Sequence, residues 1–295
     1  QSRVDDLIIE NGHLHGVVLT SGEKLHSDHI ILAIGHSARD TFQMLYQRGV
    51  KIEAKPFSMG LRIEHPQPMI DKCRFGESAG NPILGAADYK LVHHSSNGRS
   101  VYSFCMCPGG TVLAASSEYG TVVTNGMSQY SRNAGNANSA IVVEVFPKDY
   151  PGSPLAGINY QRKWEQRAFE LGGGTYDAPG QLVGDFLAGR PSTVFGSVLP
   201  SYNPGVRLGD LSTSLPEFII EAIREALPIF EKQIQGFTMA DAILTGVETR
   251  SSSPVRIVRG KDFQSINLAG LFPAGEGAGY AGGTLSSAVD GIKVA

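Results

Sequence analysis

Cysteine is scarce, with three in 295 residues. An odd number spread so thinly builds no disulfide framework and points to a reducing compartment, so a cytoplasmic protein is expected. No apolar run is long enough to span a bilayer, and no charged start followed by an apolar stretch marks a secretion signal. Lys and Arg nowhere gather into a run. With a net charge of −3 and a pI near 6.3, the chain lacks the electrostatic footprint of a nucleic-acid binder or of a protein seated on an anionic membrane. Repeats and low-complexity tracts are missing too, and the polar stretch 133–139 reads as a loop. What remains is a globular chain, 41% hydrophobic and 18% charged, large enough for one large domain or two. Small molecules are the expected partners. The chain opens on Gln1 and closes inside a helical pattern, so it is expected to be a piece of something longer.

Glycine is what the sequence has in telling places. Gly277-Ala278-Gly279-Tyr280-Ala281-Gly282 has the GxGxxG spacing, yet it falls at the wrong end for a dinucleotide fingerprint. Such a fingerprint needs a helix, a second strand and an acidic residue about 20 positions on. Residues 266–274 before it are strand-like, and Leu285, Ala288, Val289 and Ile292 after it recur as one helical face. The order is strand, glycine loop, helix. Unsatisfied amides and the positive dipole end at such a helix start suit a phosphate or an electron-rich ring edge. Glu276 inside the loop would repel a pyrophosphate but could accept hydrogen bonds from sugar-like hydroxyls.

The other end of the chain offers a partner strand. Leu7-Ile8-Ile9 and Leu14 to Leu19 flank Asn11-Gly12, a strong hairpin signal, and Thr20 to Glu23 is a second turn. Ile30 to Ile34 is apolar without alternation, as in a strand covered on both faces, and Gly35 ends it. Between the ends, Ser37 to Gln47 reads as a short helix with Phe42 and Leu45 inward. Phe57 to Glu64 reads as an alternating strand with Arg62 and Glu64 on one face. Val101 to Cys107 and Thr111 to Ala115 are strands joined by a hairpin-like Pro108-Gly109-Gly110. Ser214 to Glu217 has the form of a capping box, and Pro228 is expected to kink or end the helix that follows.

Two clusters could carry chemistry. Cys105-Met106-Cys107 on a strand would present both thiols on one face, as a redox pair or as small core fillers; Cys73 with His93-His94 completes no zinc spacing, so no metal is expected. Glu248 to Arg256 (ETRSSSPVR) sets Arg250 and Arg256 among hydroxyls. There they could hold an anionic substrate or stabilise a reduced cofactor, or simply pair with acidic neighbours.

The meander, the Ala33-Ile34-Gly35 strand end and the late GLFPAGEGAG resemble the second and third FAD signatures of two-dinucleotide-binding-domain flavoproteins. More narrowly, AIGHSARDTF, FCMCPGG, AASSEYGTVVTNGMS, LVGDFLAGRPS, ALPIFEKQIQGF and GVETRSSSPVRI resemble an uncharacterised FAD-dependent dehydrogenase family over nearly the whole chain. The resemblance implies a mixed α/β fold: part of a Rossmann-like three-layer FAD domain with a β-meander, from residues 1–40 and 258–295, and an inserted mixed-sheet substrate or cap domain, 41–257. The amino-terminal FAD fingerprint would lie upstream of Gln1. FAD would meet Ala33, Ile34, Gly35, Gly275, Glu276, Gly277, Ala278, Gly279, Gly282, Gly283 and Thr284, with Glu276 at a ribityl hydroxyl. Cys107, Arg250 and Arg256 are the candidates for chemistry. The function implied is that of an FAD-dependent oxidoreductase, its partners a small-molecule substrate and an electron donor or acceptor such as NAD(P)H. A nicotinamide-dependent dehydrogenase or a non-catalytic flavin binder are the alternatives.

Overall fold

The computed structural model describes residues 2–295. Chain order opens with β1 (Val4–Glu10), β2 (His13–Leu19), β3 (Lys24–His26), β4 (Ile30–Leu32), α1 (Arg39–Gln47) and β5 (Ile52–Ala54). It continues through β6 (Phe57–Pro66), α2 (Gln67–Phe75), β7 (Val92–His94), β8 (Ser100–Cys107), β9 (Gly110–Ala114), β10 (Thr124–Ser128), β11 (Asn136–Val145) and α3 (Ala156–Leu171). It closes with β12 (Ala178–Leu182), α4 (Val183–Ala188), β13 (Val206–Leu208), α5 (Glu217–Glu231), β14 (Ile243–Glu248), β15 (Val255–Ile257), β16 (Leu271–Pro273) and α6 (Thr284–Val294). The fold is mixed α/β. Two compact units form, one from residues 1–57, 145–160 and 250–295, the other from 58–144 and 161–249. Among the described residues no helix is long and apolar enough to cross a membrane.

In the first unit β1, β2 and β3 make the antiparallel meander, and Asn11 and Gly12 take the positive φ that a two-residue turn demands. β4 pairs in parallel with β16, Ile31 beside Phe272, so the two ends of the chain meet as their sequences suggest. β5 pairs with β15. Leu7, Leu14, Phe42, Leu45, Ile257 and Leu271 belong to one buried apolar cluster, which fixes α1 by its apolar stripe. Coverage of the 30–34 strand on both faces does not hold: Ile31 is 50% exposed and lines an apolar cleft of about 510 Å³ with Leu25, Leu32 and Met44. The helix after the glycine loop forms, and its apolar face points outward, with Leu285 80% and Ile292 78% exposed. Its buried residue is Asp290, whose charge finds a partner inside, and that contact decides the side that packs.

The second unit is built on a seven-stranded sheet in the order β13-β12-β14-β6-β11-β8-β7. β6 lies in the middle, with a strand paired on each edge, and residues 57–65 are all buried on both faces instead of alternating. α5 buries Ile219, Ala222, Ile223, Ala226, Leu227 and Phe230, and runs through Pro228 to Glu231. The capping box is absent: the Ser214 hydroxyl donates to the Leu211 carbonyl at 2.7 Å, and the helix enters through Pro216. The expected hairpin of 101–115 is also absent. β8 is taken between β11 and β7, while β9 pairs with β10.

Candidate functional site

The glycine loop between β16 and α6 is folded by its own backbone. The Gly279 amide donates to the Glu276 carbonyl at 2.9 Å and the Tyr280 amide to the Gly275 carbonyl at 3.2 Å, with Gly275 at φ +76°. From outside, the Ile257 amide donates to Ala278 at 3.1 Å. A Cβ on Gly277 would stand 2.2 Å from the Gly35 carbonyl oxygen, and one on Gly279 would stand 2.7 Å from that of Val255. These two glycines therefore seat the loop against the end of β4 and the start of β15. Gly35, Gly282 and Gly283 face open space on that side. α6 starts at Thr284 without a side-chain cap.

Three successive amides of the loop, on Glu276, Gly277 and Ala278, donate to no acceptor among the described residues, although Gly277 and Ala278 are buried. Buried amides without protein partners are rare in native folds. Ala33 and Ile34 reach this loop through Gly35, so the two segments named from sequence do come together.

Charge gathers around the loop. His36 Nδ1 lies 3.0 Å from Glu276 Oε1, and Arg250 Nη1 donates to Ser37 Oγ at 3.1 Å. Arg256 is exposed, its guanidinium carbon 5.4 Å from the Tyr280 ring centroid. Lys55 is half-buried, and its Nζ donates to the carbonyls of Pro56 and Ser253. Burial pushes its ammonium below the usual lysine range, Arg256 pushes the same way, and Glu276 opposes them. Arg259 and Asp290 form a buried ion pair at 2.6 Å. Lys55, Tyr280, Arg259 and Asp290 escape sequence reading because each stands alone in its segment, with no partner at helical or strand spacing.

Cys107 lies in the second unit. It is buried at the end of β8, its Sγ donates to the Cys105 carbonyl at 3.2 Å, and burial pushes the thiol up against the opposing pull of Arg62. Cys105 is exposed with φ +44°, at a break in the β8–β11 register, so the two thiols do not share a face. Nearby, Arg62 is wholly buried: Nε and Nη2 donate to Glu248 at 2.9 and 2.7 Å, and Nη1 to Asn138 at 2.9 Å and Cys105 at 3.1 Å. Ser58, Arg62 and Glu64 on one face of β6 are a faint signal for such a core, since the same pattern marks a solvent face.

Residues 56–251 match the family model described as FAD-dependent protein, C-terminal domain-like, a span that takes in the second unit and stops short of the glycine loop. A protein of Clostridium beijerinckii, described as uncharacterised, is 51% identical over the whole chain. The chain spans about half of that relative's length, 55%. An oxidoreductase from Methanosarcina mazei, known from its crystal structure, is 12% identical over 99% of this chain and 47% of its own, with a TM-score of 0.33, a likeness too weak to speak to fold or activity. With two thirds of its residues matched by one family model, the chain belongs to the family of FAD-dependent proteins, C-terminal domain-like.

Proposed function

We propose that this chain is part of an FAD-dependent oxidoreductase and that its first unit holds the flavin end of the cofactor. The observation that carries the reading is the glycine loop, with three consecutive amides lacking a protein acceptor beside an uncapped helix start. Such a surface fits the carbonyl edge or an anionic group of FAD. Bound FAD would supply the capacity to take up or give two electrons and a proton.

The chain's own residues then do the rest. Glu276, held by His36, accepts from a ribityl hydroxyl; Ala33, Ile34 and Gly35 cover the nucleotide side; Gly275 to Gly279 approach with bare backbone, and Gly282, Gly283 and Thr284 open the helix. Arg250, Arg256 and Lys55 set positive charge near the loop, where fixed cations stabilise a developing negative charge without reorganising. Cys107 falls outside this assignment, since burial keeps its thiol protonated and its hydrogen bond goes to backbone. Binding of the adenosine diphosphate half is assigned to the length that the Clostridium relative carries beyond the shared part.

The test is the colour of the full-length protein. Purified protein should carry flavin absorbance that bleaches under an electron donor, with NADH and NADPH as the first to try. A colourless protein that takes up no added FAD would end the proposal, and colour that no donor bleaches would favour a flavin binder without turnover.

A further inference from the structure

We infer that Arg259 and Asp290 are positioning residues that set the shape of the glycine loop from both of its ends, and so the placing of its open amides. The inference rests on the flavin reading for its ligand and on the structure alone for its mechanics. Asp290, buried on α6, receives Arg259 Nη2 at 2.6 Å on one oxygen and Arg259 Nη1 at 2.9 Å on the other. That second oxygen also accepts the Gly275 amide at 2.7 Å, at the first residue of the loop. Arg259 Nη1 donates in addition to the Pro273 carbonyl at 2.6 Å, at the last residue of β16. At the far end of the loop, the Arg259 guanidinium lies 3.8 Å from the Tyr280 ring centroid, and its amide donates to the Tyr280 hydroxyl at 3.1 Å.

One ion pair thus grips Pro273, Gly275 and Tyr280, and leaves Glu276, Gly277 and Ala278 between them with free donors. A ligand site needs this division, with ends fixed by side chains that are themselves fixed and a middle whose donors are unspent. A planar fork suits the task better than an ammonium, because it serves a carboxylate, a carbonyl and a ring at once. Gly275, at φ +76°, sits where most residues would be strained, so its amide direction depends on the contact that holds it.

The test uses full-length protein bearing Asp290→Asn, Arg259→Met or Arg259→Lys. Hydrogen exchange is read in the peptide covering the loop, and FAD is titrated by the change in the visible spectrum. Asp290→Asn and Arg259→Met should speed exchange at the loop amides while the β1–β2 hairpin stays protected, weaken FAD by about tenfold or more, and leave the bound flavin with a spectrum closer to that of free flavin. Arg259→Lys, which keeps the charge and loses the fork, should fall between, and it remains readable if the other variants do not fold. Unchanged loop exchange in the folded variants overturns the inference, as does unchanged FAD affinity in a variant whose loop has loosened. If the wild type binds no flavin, the functional reading fails by itself, and loop exchange alone then decides whether the pair anchors the loop.

Discussion

Acid should destabilise the second unit through His65. This residue sits on β6 with none of its surface exposed, its Nε2 2.8 Å from the Phe237 carbonyl and its ring 4.6 Å from the Phe237 ring. A carbonyl only accepts, so Nε2 carries the proton, and Nδ1, buried without a partner among the described residues, keeps its lone pair. Protonating Nδ1 would bury a charge. Burial accordingly lowers the imidazole from 6.5 to about 4, against the smaller opposing pulls of the Phe237 carbonyl and Glu231. Because the folded value is the lower one, the unfolded chain takes up its proton first as pH falls. Stability from this group is therefore intact above 6.5, declines by about 1.4 kcal/mol per pH unit between 6.5 and about 4, and declines no further below that. The total is on the order of 3 kcal/mol. The single Trp, Trp164, lies in the second unit, so its fluorescence in urea follows the transition concerned. Comparison with His65→Gln, which keeps a donor for Phe237 and does not titrate, cancels the carboxylates common to both proteins. The stability gap between wild type and variant should shift by about that amount across the window. A gap independent of pH, or a His65 ring that titrates near 6.5, would refute the reasoning.

Three further outcomes are expected. Glu248→Gln leaves the buried Arg62 without its ionised partner and should cost about 3–5 kcal/mol by the same fluorescence, much of it recovered when Arg62→Met and Glu248→Leu are combined; a cost within 1 kcal/mol of zero would deny the pair its role. Alkylation of the native protein at neutral pH should label the exposed Cys73 and Cys105 well before Cys107, and labelling of Cys107 first would contradict its burial and raised thiol. Gly277→Ala drives a methyl into the Gly35 carbonyl and should lower stability of the first unit by about 1–3 kcal/mol, visible as faster exchange in both loops; unchanged exchange would mean that the two segments are not in contact.

Legibility in the sequence followed the range of the forces involved. Asn11-Gly12 was readable because a two-residue turn is decided by its own φ angles, and β4 with β16 because both are short apolar runs ending in glycine loops. Phe42 and Leu45 announced the buried stripe of α1 for the same local reason. Failures came where a distant partner decided. Ser214 spends its hydroxyl on Leu211 instead of capping α5, β8 finds β11 in place of β9, and α6 turns Asp290 inward because Arg259 is there to receive it. Arg62 and Glu64 alternate as a solvent face would, and only the folded structure shows that both are wholly buried. At the site, the glycine spacing located the loop, but the reason for Gly277 and Gly279 is packing against Gly35 and Val255, which no spacing reveals.

The measurement closest to the central claim is titration of the apo full-length protein with FAD, NAD and NADP, comparing wild type with Glu276→Ala. As a charged acceptor for a ribityl hydroxyl, Glu276 should be worth roughly 1.5–3 kcal/mol, so its removal should weaken FAD about tenfold to a hundredfold and leave NAD and NADP binding no tighter than in the wild type. Unaltered FAD affinity in a variant whose melting curve matches the wild type would contradict the assignment, and tighter NAD binding in the same variant would mark the loop as a pyrophosphate site freed of a repelling carboxylate.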